Sequence, residues 1–218
     1  MRLLLECLLG YMAGAVSLPL GGELLIPHEA EITPLTAVRN TLIQSSLATL
    51  RSQGHYERYS RNIDPAVLQE LSSNLAPSWV DIQLAHAHYR ACDAMNLTAE
   101  ELGDQAQSVG QRVGETSIVV GSANKPEDEV DLWTVLGQLH RAWKRVFQGG
   151  SVQVTKLSAT AELIELRGFS LNRHRHFRQG FLTSLEAAHE AAGIRMESTK
   201  IVRYDAPTQD IMFHLEWS

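Results

Sequence analysis

The chain has 218 residues, 44% hydrophobic and 20% charged, with 25 acidic against 19 basic side chains and a formal net charge of -6. That length can bury one substantial core, and the acidic balance argues against a general binder of nucleic acid or of anionic membrane. The two cysteines, Cys7 and Cys92, share no CxxC spacing, so neither a disulfide framework nor a cysteine zinc site is supported.

In chain order, residues 1–20 place Arg2 before an apolar stretch and small residues around Ala13 to Ser17, an imitation of a secretory signal that Glu6 interrupts. The segment reads as an amphipathic helix or as an extension upstream of Met12, with Cys7 a buried thiol. Localisation is therefore expected to be cytoplasmic, the alternative being a secreted or periplasmic protein that loses these residues. No run reaches the roughly eighteen unbroken apolar residues of a spanning helix. Three prolines and Gly21-Gly22 make residues 18–36 a connecting segment. Residues 1–36 thus form an extension, and residues 37–218 a single domain with a helical part (37–148) and a sheet part (151–217).

Val38, Leu42, Ile43, Leu47 and Leu50 predict a helix that Gly54 ends, followed by a polar aromatic loop, HYERYSRN. Asp64 before Pro65 opens a short helix as cap and first-turn proline. A further helix is expected over 78–95, with Ser78 as cap and Trp79, Ile82, Ala85, Tyr89 and Cys92 inward. Thr98 and Glu101 form a capping box, and Gly110 and Gly114 loosen the helix it starts. The most regular helical pattern is at 131–150: Leu132, Leu136, Leu139, Trp143 and Val146 make one stripe, Phe147 widens it, and Gln138, Arg141, Lys144 and Arg145 face away. Gly149-Gly150 reads as its stop. After it the period changes to two: strands over 151–157 and 159–169, a helix with Phe177, Phe181, Leu185 and Ala188 inward that Gly193 stops, and two strands around the turn DAPTQD. The expected fold is α+β, with a helical half followed by an antiparallel sheet of four strands in the order strand, strand, helix, strand, strand.

LWTVLGQLHRAWKRVFQGG, the alternating strand after it, LRGFSLNRHRHFRQGFLTSLEAAHEAAG and the final FHLEW resemble an uncharacterised bacterial family described mainly in myxobacteria. That family is related to the haem nitric-oxide-binding and 4-vinyl-reductase-like sensor folds. The resemblance covers roughly the last 90 residues, and its motifs are packing features of low specificity. It implies a haem NO-binding-like fold and a sensor or small-ligand module rather than an enzyme. The haem relatives hold iron by a helical histidine ahead of the sheet and grip the propionates with Tyr, Ser and Arg at alternate positions. Here His140 is on the central helix and Phe169, Leu171 and Arg173 fill the alternate positions, so bound haem would have His140 and Arg173 alone. The cysteines of some reductase-like relatives have no counterpart between Ile201 and Phe213, which leaves a metal site without support.

His140 borders the apolar face, and its plain reading is a histidine satisfied by a neighbour. His86 and His88, two apart on a helix, point in different directions and read as structural or surface residues. Arg173, His174, Arg175, His176 and Arg178 are the densest local charge. At a helix start they could dock a carboxylate, phosphate or acidic partner. The alternative is a solvated helix start balanced by Glu162, Glu165 and Glu186. Catalysis has little support: no nucleophile elbow, no HExxH, no phosphate loop, and no histidine partner for Cys92. Glu100-Glu101 reads as a helix start. The expectation is a non-catalytic sensory or regulatory domain that binds a small hydrophobic or anionic ligand, or a protein partner, between its two halves. Trp133, Trp143, Phe169, Phe177, Phe181 and Trp217 would line or support that interior, though each alone reads as core. The alternatives are a haem gas sensor using His140 and an interaction or dimerisation module with no pocket; otherwise no cofactor, metal or nucleic acid is expected.

Overall fold

A computed structural model describes residues 21–98, 100–105, 107–108, 133, 136–137, 139–191 and 193–218. The signal-like segment, Cys7, Gly110, Gly114, Leu132 and Gln138 lie outside these residues. The architecture is α+β, with antiparallel sheets of five and three strands.

The larger sheet has the order β1 (Glu23–Ile26), β5 (Ser151–Ser158), β6 (Ala161–Arg167), β8 (Ile211–Trp217), β7 (Met196–Tyr204), every neighbour antiparallel. The four strands read from alternation are all present. The fifth, β1, lies in the stretch taken as a connector: four residues carry too little alternation to outweigh the Gly and Pro around them. Register places Val154 opposite Ile164 and Ile164 opposite Phe213, so Val154, Ile164, Leu166, Ile211, Phe213 and Leu215 share a buried inner face. Against that face lies α6 (Arg175–Ala191), through Phe177, Phe181 and Leu185 as expected. The strand β6 is buried on both sides, because Glu162 joins the inner face and Glu165 the outer one.

The smaller sheet, β3 (Trp79–Asp81), β2 (Ala37–Arg39), β4 (Phe147–Gln148), corrects three expected helix ends. Val38 lies in a strand, and α1 runs Asn40–Ser52. Trp79 lies in a strand, and α4 runs Ile82–Ala94 with Asp81 rather than Ser78 as its cap. The central helix, α5 (Leu139–Val146), stops before Phe147, which pairs with Val38. Gly149 therefore ends a strand. It has φ +87, and a Cβ there would meet the Pro34 carbonyl oxygen at 2.2 Å, so only glycine fits. The loop HYERYSRN contains a short helix, α2 (Tyr56–Ser60). Asp64 caps α3 (Pro65–Ser73) by accepting from the Ala66 and Val67 amides. The Thr98/Glu101 box closes in both directions, and the backbone is helical over 100–105.

Candidate ligand site

Where the helical half meets the large sheet, α5, residues 26–33 and residues 149–152 enclose a cavity of about 260 Å³. Its walls include Ile26, Glu29, His140, Trp143, Lys144 and Phe147. Amphipathic spacing on α5 sets this up: Trp143 faces inward at 6% exposure while Arg141, Lys144 and Arg145 are exposed. The loop wall is pinned by Ser151, whose Oγ lies 2.9 Å from His28 Nδ1 and accepts from the Glu29 amide at 3.0 Å. Across the mouth Lys144 Nζ sits 2.9 Å from Glu29 Oε1. That hydrogen bond and the lysine charge hold the Glu29 carboxyl below its ordinary range. Both side chains are exposed, so the pair is easily exchanged for another anion. The indole N–H of Trp143 is buried with no acceptor among the described residues. A buried donor left unpaired costs about 1–3 kcal/mol.

Four of the six aromatics expected to line or support the interior pack into one ring cluster, of which Trp143 also walls the cavity. Trp143 contacts Phe169 at 4.7 Å between centroids, Phe169 contacts Phe177 at 5.5 Å, and Phe177 contacts Phe181 at 6.1 Å. Phe147, which sequence reasoning left as a helix-stripe residue, packs against both Trp143 and Phe169 at 4.5 and 4.8 Å. Trp133 stands apart, tilted against Trp217 at 5.4 Å and under Lys156. The void left between α1, α4 and α6, beside Ser46, Tyr89, His176 and Gly180, measures about 50 Å³. A water occupies about 30 Å³, so this space is far below that of a porphyrin.

The residues that the resemblance assigns to haem do not fit one. Phe169 and Leu171 are wholly buried core. Arg173 is exposed, with Nε donating to the Ser170 carbonyl and to Gln209, whereas His140 faces the cavity beside Glu29 and Lys144. The two share no contact. Among the described residues no group of three or more His, Cys, Asp or Glu is placed to hold a metal.

The basic cluster divides in two. Arg173 and Arg175 are exposed, while His174 and His176 turn inward with 6% and 7% exposure. The anion expected at this helix start is the chain's own Asp93, from α4, which accepts from the Arg175 and His176 amides at 3.2 and 2.8 Å. The expected balancing acids are elsewhere. Glu162 faces His189 of α6, and Glu165 gathers His28, Arg167 and Arg203 on the outer face. Arg178 lies over the Tyr204 ring and donates to the Asn172 carbonyl at 2.6 Å.

Sequence reasoning left His86 and His88 as structural or surface residues; both are buried, in separate networks. His88 sits between Tyr59 Oη at 2.8 Å and Ser46 Oγ at 3.0 Å, with burial pushing it down to about 3. It also lies 3.7 Å from Cys92 Sγ, a histidine neighbour that sequence reasoning did not find, but burial raises that thiol well above its ordinary value. His86 Nδ1 meets His174 Nε2 at 2.9 Å, His86 Nε2 meets Ser170 Oγ at 3.0 Å, and His174 Nδ1 meets Asp93 Oδ2 at 3.2 Å. One signal pointed here: in RHRH the arginines and histidines alternate, and a period of two just before a helix puts one set inside.

By sequence the chain matches no family model and no curated protein. Its shape matches solved H-NOX structures. An H-NOX protein studied for haem distortion in that family is 12% identical with TM-score 0.56, over 83% of this chain and 95% of that one. An Fe(II) unliganded H-NOX mutant from K. algicida is 8% identical with TM-score 0.56, over 83% and 96%. An oxygen-binding H-NOX domain related to soluble guanylate cyclases is 11% identical with TM-score 0.52, over 83% and 95%. The chain therefore has the H-NOX fold, with its interior packed by aromatic side chains.

Proposed function

We propose that this chain is a sensory or regulatory domain that binds a small carboxylate-bearing molecule, without covalent chemistry at that site, in the cavity between α5 and residues 26–33. The Lys144–Glu29 pair across the cavity mouth carries the reading: an exposed lysine above an apolar floor is placed to take a ligand carboxylate in exchange for Glu29. Lys144 supplies charge for the same group by exchanging Glu29 for the ligand, and Trp143 and Phe147 supply an apolar floor. At about 260 Å³ the space suits a ligand smaller than a typical drug. The H-NOX fold supports the sensory role. Among the described residues no helix is long and apolar enough to cross a membrane. Localisation is proposed as cytoplasmic.

The test is tryptophan fluorescence during titration with aliphatic and aromatic monocarboxylates, followed by native mass spectrometry. Saturable quenching is expected, removed by Trp143→Phe and weakened about tenfold by Lys144→Ala, the loss of roughly 1.4 kcal/mol from one charge-assisted contact. No saturation with any carboxylate, or equal saturation in both variants, overturns the reading. So does a Soret band in protein from haem-supplied cells that His140→Ala removes, since that would place iron on this histidine.

A further inference from the structure

We propose that Ser170 is a base-activated nucleophile that takes the acyl group from a small anionic ester, with His86 as its base, His174 and Asp93 aligning that base, and Arg90 and Arg173 receiving the substrate's negative charge. The proposal concerns a different site from the α5 cavity and does not rest on it.

The chain of hydrogen bonds has a direction. A carboxylate only accepts, so Asp93 fixes the hydrogen of His174 on Nδ1, at 3.2 Å. With that ring neutral, His174 Nε2 is an acceptor and takes the Nδ1 hydrogen of His86 at 2.9 Å. His86 Nε2 is then left with its lone pair toward the Ser170 hydroxyl at 3.0 Å. Tautomers follow from the network here, as they must. A hydroxyl facing a histidine lone pair, with the far side of that histidine tied to an orienting group, is the arrangement of nucleophile, base and orienter. The second imidazole lengthens the usual connection by one ring.

The frame is rigid. His86 and Asp93 are seven residues apart on α4, two helical turns on one face, and the His174 ring fits between them. Asp93 is held by the Arg175 and His176 amides as well. Burial works to raise its carboxyl, but the bonds from His174 and His176 outweigh that and keep it below the ordinary range. Ser170 opens a 3-10 turn (Ser170–Arg173) and is half-buried, so its hydroxyl is within reach of solvent. With its side-chain amide turned to donate, Gln209 bonds the Ser170 carbonyl at 2.8 Å and accepts from Arg173 Nε. Burial, with Arg173, His174 and Arg90 nearby, lowers His86 to about 4, so it is free to accept a proton at neutral pH but is a weak base. The matching substrate is an ester with a good leaving group rather than an amide.

The charge of the substrate follows from Arg90 and Arg173. Arg90 stands one turn after His86 on α4, and Arg173 Nε donates to the Ser170 carbonyl at 3.1 Å; both side chains are exposed, and neither has an acidic partner among the described residues. In the step, Ser170 Oγ attacks the acyl carbon while its proton passes to His86 Nε2. The carbon–oxygen bond to the leaving group breaks, and that oxygen takes the proton from His86. Water repeats the sequence on the acyl-serine and releases the acid, so one ester and one water give one acid and one alcohol.

The experiment incubates the whole chain with mono-p-nitrophenyl succinate and with p-nitrophenyl acetate, reading nitrophenolate release and intact and peptide mass. Expected are one succinyl group on the Ser170 peptide, absent in Ser170→Ala, and release slowed at least about 100-fold by His86→Gln, the low end for loss of a general base. Arg90→Ala, an exposed change, should lower the rate on the succinate ester relative to that on the acetate ester by up to about fivefold. Circular dichroism and melting confirm that each variant is folded. Release at the buffer rate, equal release from folded Ser170→Ala, or succinylation at another residue overturns the proposal.

Discussion

His88 and His189 are equally hidden, at 0% and 1% exposure, yet their surroundings drive them in opposite directions. His88 has neutral partners, the Tyr59 and Ser46 hydroxyls, and burial lowers it to about 3. His189 is also disfavoured as a cation by burial. Glu162, 3.2 Å from its Nε2, and the Leu185 carbonyl that accepts from Nδ1 at 2.8 Å outweigh that and raise it. The Glu162 contact is a charge contact off hydrogen-bond alignment, since neither His189 Nε2 nor the carboxylate oxygens complete a hydrogen bond. Burial alone therefore does not set a histidine's charge; its partner does. Breaking the charged site should cost most. Glu162→Leu leaves His189 facing a hydrocarbon and is expected to lower unfolding free energy by about 3–5 kcal/mol. Urea denaturation measures it, and the double change Glu162→Leu with His189→Leu should recover most of the loss.

The same contrast predicts opposite pH dependences. For His88, unfolding raises the affinity for a proton, so its contribution is complete above the unfolded value of 6.5 and is lost as pH falls toward about 3. His86 and His176, each lowered to about 4, act in the same direction. For His189, whose folded value is raised, the contribution is complete below 6.5 and is lost as pH rises through that folded value. Each group adds a slope of at most about 1.4 kcal/mol per pH unit inside its own window. Unfolding free energy measured from pH 4 to 9 should fall on both sides of a maximum, and His189→Gln should flatten the alkaline side only. An alkaline fall that survives His189→Gln would break the assignment.

Sequence reasoning reached β5 to β8 of the large sheet and helix α6 because each runs long enough for its period to be read, whereas the four residues of β1 do not. It missed β2 and β3 because three residues ahead of a helix cannot declare a period of two, and Val38 and Trp79 were absorbed into the helices that follow. The Asp64 cap and the Thr98/Glu101 box were legible since their partners are two or three residues away. His86 and His174 meet across 88 positions, and Lys144 reaches back to Glu29. Contacts of that kind come only from packing α4 and α5 against the rest. The resemblance pointed to the correct fold, but Phe169 and Leu171 show that its haem-binding positions can turn into core.

Polar contacts at the surface sharpen the lesson from the other end. Arg61 and Glu57 form an i,i+4 pair at 3.6 Å, but both side chains are more than three-quarters exposed. Water competes for each, so Glu57→Ala should change stability by less than about 0.5 kcal/mol. Asp64, also on the surface, is different because its carboxylate satisfies backbone donors that the first turn of α3 cannot pair internally. Asp64→Ala is therefore expected to cost about 0.5–2 kcal/mol, and Asp64→Asn much less, since an amide oxygen still accepts. Thermal melts of the three variants decide it. If Glu57→Ala and Asp64→Ala shift the midpoint equally, the distinction between a charge that meets another charge and a charge that completes the backbone does not hold between α2 and α3.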